Sequence, residues 1–147
     1  MSAVSEIMST RKAVTLRVES TPSAMEAAKL MIGKQVGSVV IVDHDGIPIG
    51  IITERDILKK VTGPNKHPGD AAAQDIMSHP VITIKTYDSI ESAAAAMAKN
   101  RIKRLVVLEQ DGSMAGILSI TDITRKLARI LATEYKRYGH FKGMLDL

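Results

Sequence analysis

The sequence predicts an α/β chain of the α+β kind: two β-α-β-β-α units that pack through their sheets with pseudo-twofold symmetry. Three observations carry this prediction. The chain repeats itself, each copy alternates short apolar runs with a helical pattern, and a single unit would leave one sheet face bare.

The repeat appears when the sequence slides against itself by 66 positions. Ser23, Ala27, Ala28 and Met31 then fall on Ser89, Ala93, Ala94 and Met97, and Val40 falls on Val106. Asp45-Gly46 falls on Asp111-Gly112, Gly50-Ile51 on Gly116-Ile117, and Asp56-Ile57 on Asp122-Ile123. Upstream, Ile7-Met8 matches Ile76-Met77 at an offset of 69, so an indel of three residues separates the leaders from the bodies. The expected units are residues 1–62 and 73–132, a linker at 63–72 containing Pro64, Pro68 and Gly69, and a helical extension or tail at 133–147.

Each copy reads as the same series of elements. A strand is expected over Thr15 to Val18 and over Val81 to Ile84. A helix follows, with Thr21 as cap and Pro22 as first helical residue in the first copy. In the second copy Asp88 is expected to cap, with Glu91 completing a capping box. Apolar residues at 24, 27, 28 and 31, and at 90, 93, 94 and 97, follow the i, i+3, i+4, i+7 rule. The runs Ser38 to Val42 and Leu105 to Leu108 are apolar on both faces and read as buried strands. Asp-Gly turns lead into third strands, Ile49 to Ile52 and Ala115 to Ser119, and each of these enters a closing helix.

Composition narrows the function classes. One Phe, three Tyr and no Trp leave the core to aliphatic residues and argue against aromatic platforms for single-stranded nucleic acid. The absence of cysteine excludes thiol chemistry, thiolate metal sites and disulfides. No apolar run approaches the roughly 18 residues that cross a bilayer, and Met1 to Lys12 lacks a signal-peptide core, so a soluble cytoplasmic protein without a membrane partner is expected. His44, His67, His79 and His140 lack ligand spacing, so neither a metal site nor a catalytic constellation is expected. The net charge of +4 is concentrated late, in Arg125, Lys126, Arg129, Lys136, Arg137 and Lys142. That segment also holds Tyr135, Tyr138 and Phe141, which keeps nucleic-acid binding open as an alternative, although no recognition motif supports it.

The strand-to-helix junctions carry the chemistry: Gly50-Ile51-Ile52-Thr53-Glu54-Arg55-Asp56 and Gly116-Ile117-Leu118-Ser119-Ile120-Thr121-Asp122. A glycine admits close approach. A hydroxyl at the helix start sits where unpaired N–H groups favour an anion. The carboxylate three residues on shares that face and can accept from two vicinal hydroxyls. Together they suit a ribose phosphate, although Thr-x-x-Asp at a helix start also reads as a capping box.

The repeat order, the Ile-Met leaders, the buried middle strand, the Asp-Gly turn and the Gly-x-x-Thr/Ser-x-x-Asp junction together resemble the CBS domain family in its tandem arrangement, over roughly residues 5–131. The resemblance implies two clefts for adenine nucleotides, with AMP, ADP or ATP ahead of S-adenosylmethionine or NAD, and no required cofactor. It also implies a non-catalytic regulatory module that homodimerises and acts in trans on an unknown regulated protein; a dimerising module with degenerate clefts is the alternative. Asp56 and Asp122 resemble the ribose-binding aspartates, Thr53 and Ser119 the hydroxyls beside them, and Arg55 and Thr121 the residues between. Lys103 and Arg104 resemble the family's basic pair ahead of the middle strand, where the first copy carries Gly37 and Ser38. The base would lie by Thr15 and Val39 in one cleft, and by Val81 and Leu105 in the other. The cleft with Thr53, Arg55, Asp56, Lys103 and Arg104 is thereby expected to hold phosphate more tightly than the cleft with Ser119, Thr121, Asp122 and Ser38.

Overall fold

A computed structural model describes residues 2–8 and 12–138. The first copy comprises β1 (Thr15–Arg17), α2 (Ala24–Lys34), β2 (Ser38–Val42), β3 (Pro48–Thr53) and α3 (Glu54–Ile57), which runs on into a π-helical turn over Leu58–Thr62. The second comprises β4 (Thr83–Lys85), α5 (Ile90–Asn100), β5 (Arg104–Leu108), β6 (Met114–Ser119) and α6 (Ile120–Tyr138). Each body is preceded by a one-turn leader helix, α1 (Val4–Ile7) or α4 (Ala73–Ile76). Two three-stranded sheets result, β1-β2-β3 and β4-β5-β6, each with one parallel and one antiparallel pairing.

The middle strands organise the core. In β2, Val39 and Ile41 point under α2 with Ala27, Met31 and Ile52, whereas Val40 and Val42 point the other way and meet Val106 of β5. Leu105 and Val107 face Ala93, Met97 and Leu118 in the second copy. The period of two thus sends alternate side chains into a repeat's own core and into the seam between sheets. Val40 and Val106, 66 positions apart, meet at that seam, as the predicted sheet-to-sheet packing requires.

The leaders cross over. The N–H of Val4 donates to Asp88 O (2.8 Å) and that of Ser5 to Thr86 O (2.9 Å), and Val4 is fully buried in the second copy's core. Reciprocally, Ala73 donates to Pro22 O (2.8 Å) and Ala24 to Ala71 O (2.8 Å), and Ala73, Ile76 and Met77 lie in the first copy's core. Each leader therefore seals the body of the other repeat.

Three local expectations are corrected. Thr21 does not cap α2: its N–H closes the turn on Val18 O, it adopts φ 48°, and Ser23 caps instead by accepting from Glu26 N (3.2 Å). Asp88 does not cap α5 either, because its carboxylate accepts from Lys85 N (2.9 Å) and closes the bend after β4. Ser89 caps that helix through Ser92 N (3.1 Å), which leaves Glu91 out of capping-box register. Thirdly, β4 begins at Thr83, and its pairing with Val106 matches that of Thr15 with Val40. Thr15 therefore corresponds to Thr83 rather than to Val81, and Val81 corresponds to Ala13 at the seam. The connection after β1 is two residues longer than that after β4, which absorbs most of the indel.

Candidate functional site

Both junctions form complete capping boxes. Asp56 Oδ2 accepts from Thr53 N (2.9 Å) and Thr53 Oγ1 (3.3 Å), and Asp56 N donates back to Thr53 Oγ1 (3.4 Å). Asp122 Oδ2 likewise accepts from Ser119 N (2.8 Å) and Ser119 Oγ (3.1 Å), with Asp122 N returning to Ser119 Oγ (3.2 Å). Each aspartate is only 6% exposed. Capping thus uses one carboxylate oxygen at each junction and holds the other, Oδ1, in a fixed direction.

The two Oδ1 atoms have different surroundings. Asp56 Oδ1 accepts from Ser78 Oγ (2.9 Å) and pairs with Lys60 Nζ (3.1 Å), which also donates to Ile76 O (2.9 Å). Asp122 Oδ1 pairs with Arg125 at 3.5 Å. Lys60 and Ser78 escaped the sequence reading. Lys60 was legible as the i+4 neighbour of Asp56. Ser78 was not, because only the crossed leader brings it to β3, where it exchanges both backbone hydrogen bonds with Ile51 (2.8 and 3.0 Å).

The close approach at each junction glycine is made by a methionine. A Cβ on Gly50 would lie 2.2 Å from Met77 Sδ, and one on Gly116 would lie 2.7 Å from Met8 Cε. Each glycine accommodates the methionine of a crossed leader.

The remaining candidates divide into two places. Arg104 reaches out of β5 to the first copy: a Cβ on Gly37 would meet its Nη2 at 2.2 Å and Glu54 Oε1 at 3.0 Å. Gly37, Glu54, Ile57, Leu58 and Arg104 line one groove of about 600 Å³. The Asp56 carboxylate pairs with Lys60, which with Lys59, Lys66, Asp70, Asp75 and Ile76 lines a second hollow of about 480 Å³. The structure brings Arg104 to the Thr53 junction, beside Gly37 and Glu54. Lys103, Arg55 and Thr121 are exposed; Lys103 O accepts from Ile120 N (2.8 Å), as Gly37 O accepts from Glu54 N (3.3 Å). Ser38 is buried beside Thr53 in the sheet register, and Thr15 is exposed on β1. Val39 and Leu105 are fully buried in their repeats' own cores, so they offer a ligand backbone only; Val81 is half-buried at the seam.

Among the described residues, no cluster of three His, Cys, Asp or Glu is placed to hold a metal, and no helix is long and apolar enough to cross a membrane. α6 runs unbroken to Tyr138, where the Arg137 guanidinium lies 5.6 Å from the ring centroid. His140, Phe141 and Lys142, with the rest of the expected tail, lie outside the described residues.

Residues 4–63 and 73–129 match the family model of the CBS domain. An uncharacterized protein of Methanopyrus kandleri is 38% identical over 125 residues, covering 85% of this chain and 64% of its own length. A homoserine O-acetyltransferase of Methanocorpusculum labreanum is 37% identical over 114 residues, 78% of this chain but 22% of that enzyme. The chain thus spans less than two thirds of either relative. Among solved structures, a CBS domain protein from Pyrobaculum aerophilum complexed with AMP superposes with a TM-score of 0.77 at 29% identity, covering 90% of this chain and 99% of that one. The CBS domain pair of protein MJ0100, in complex with 5′-methylthioadenosine and S-adenosyl-L-methionine, gives 0.74 at 30% identity, covering 86% of this chain and 99% of that one.

Proposed function

The chain belongs to the CBS domain family, as two repeats, and on that premise we propose that it is a regulatory module that binds an adenine nucleotide in the clefts at its two strand-to-helix junctions. The observation that carries the proposal is the AMP-complexed relative of the same architecture. Two buried aspartates, each with one carboxylate oxygen fixed by capping, support it as acceptors for ribose hydroxyls. The chemistry the site offers is recognition: hydroxyl acceptors, nearby cations and backbone groups, with regulation exerted on a protein partner.

AMP, ADP or ATP are the proposed ligands, ahead of S-adenosylmethionine or NAD. The two clefts are proposed to be unequal. The first combines Thr53, Arg55 and Asp56 with Lys103 and Arg104, whose guanidinium already lies against the first repeat. The second, with Ser119, Thr121, Asp122 and Ser38, has no such basic pair from the opposite repeat. A second copy of this chain is the proposed first partner, because Ile32 and Leu58 are 78% and 64% exposed on one flank.

Calorimetric titration tests both parts. AMP is expected to bind more tightly than adenosine, and Asp56→Ala is expected to weaken AMP more than Asp122→Ala does, by about tenfold. Equal losses overturn the inequality. Absence of binding by AMP, ADP, ATP, S-adenosylmethionine and NAD overturns the sensor reading and favours a dimerising module with degenerate clefts.

A further inference from the structure

The Asp56 carboxylate is saturated. A carboxylate offers about four lone-pair sites, and four donors occupy them: Thr53 N, Thr53 Oγ1, Ser78 Oγ and Lys60 Nζ. A ribose hydroxyl can reach this carboxylate only by displacing one of the four. Thr53 N belongs to the capping box, and Thr53 Oγ1 is held in place by accepting from Asp56 N in the same box. Lys60 is also anchored on Ile76 O (2.9 Å) and supplies the counter-charge to a buried carboxylate. Ser78 is the least costly to remove, because its hydroxyl makes this single bond and the residue is exposed, so water takes over when the bond breaks.

We infer that Ser78 is an internal competitor for the ligand: its hydroxyl occupies the acceptor that a ribose hydroxyl takes, and ligand binding displaces it. The inference rests on the proposed nucleotide-binding function and adds a residue that sets the affinity of the first cleft. The competitor is well positioned. Ser78 N and O both pair with Ile51 of β3, so the backbone holds the hydroxyl at Asp56 at a high effective concentration. It also sits on the crossed leader directly after Met77, which is seated over Gly50. Displacing the hydroxyl therefore loosens a segment that joins the two repeats, and through it the site is linked to the way they are held together.

The test compares wild type with Ser78→Ala and Ser78→Thr by calorimetric titration with AMP and adenosine, and by thermal melting without ligand. Ser78→Ala is expected to bind AMP and adenosine about tenfold more tightly, since the ligand no longer breaks a charge-assisted bond, and to melt at a lower temperature when ligand-free. Ser78→Thr, which keeps the hydroxyl, is expected to bind as wild type does. Opposite movements of affinity and melting temperature mark the competitor, because a merely structural serine would lower both or neither. Wild-type binding with equal or weaker binding by Ser78→Ala overturns the Ser78 inference and leaves the nucleotide reading intact. Binding by Ser78→Ala alone supports it, and absence of binding by both overturns the two together.

Discussion

Val4→Ala tests the crossing of the leaders. Val4 has no exposed surface and packs in the core of the second repeat, although it lies at the start of the chain, ahead of the first. Truncation removes two methyl groups, a transfer loss of about 1.6 kcal/mol at about 0.8 kcal/mol per group. The cavity left by a one-turn helix pinned at both ends raises the expected cost to about 2–3 kcal/mol. That is a large share of a domain stability of about 5–15 kcal/mol. Guanidinium unfolding reads it as a lower midpoint at unchanged slope, and amide exchange reports where the structure loosens. Faster exchange is expected in β5 and α5, more than 80 residues from the substitution, before it appears in β2. A loss below about 0.5 kcal/mol, or loosening confined to β1, β2 and β3, refutes the crossing.

Two further outcomes follow from single contacts. Gly50→Ala places a Cβ 2.2 Å from Met77 Sδ and 3.1 Å from its Cβ, so a loss of about 1–3 kcal/mol is expected. Combined with Met77→Ala, the pair should depart from additivity by more than about 0.5 kcal/mol, and strict additivity denies the contact. Ser113→Ala acts on an acid-side stability term: hydrogen bonds from the Ser113 hydroxyl and N–H hold the Asp111 carboxyl below the usual aspartate range. A carboxyl lowered on folding stabilises above its unfolded value, and that stability is lost as pH falls through the folded value. The variant should therefore titrate Asp111 closer to the ordinary range by NMR and depend less on pH there; an unmoved titration refutes the assignment.

The duplication was legible because many core positions recur, Ala27 with Ala93, Met31 with Met97 and Val40 with Val106. The caps were misread because Ser, Thr and Asp all suit more than one local bond. Thr21 was used to end a turn and Asp88 to close another, and Ser23 and Ser89, themselves 66 apart, took the helix starts. The β1 alignment failed for a related reason. An indel read only as an offset of 69 against 66 does not say where between Met8 and Ser23 the extra residues lie, and parallel pairing to Val40 and Val106 places two of the three after β1. At the site, the Thr-x-x-Asp and Ser-x-x-Asp pairs were legible as bonded units. Their outer partners were not, since Ser78 arrives from a crossed leader and Arg104 leans across the seam.

The difference between the two copies at the head of their middle strands is physically one arrangement rather than two separate clefts. Arg104 lies where a side chain at position 37 would stand: a Cβ there would be 2.2 Å from Nη2 and 3.1 Å from Cζ. The equivalent position in the second copy is Lys103, so a strict duplicate would carry a long cationic side chain in that space. Two such cations facing one another repel and overlap. Gly37 in one copy leaves the space that Arg104 of the other occupies, with Glu54 alongside as the opposite charge. A perfectly symmetric pair of repeats would offer two equal sites and respond only to total occupancy. With one guanidinium leaning on the Thr53 junction and no counterpart from the first copy at Ser119, the two proposed sites are expected to differ in affinity.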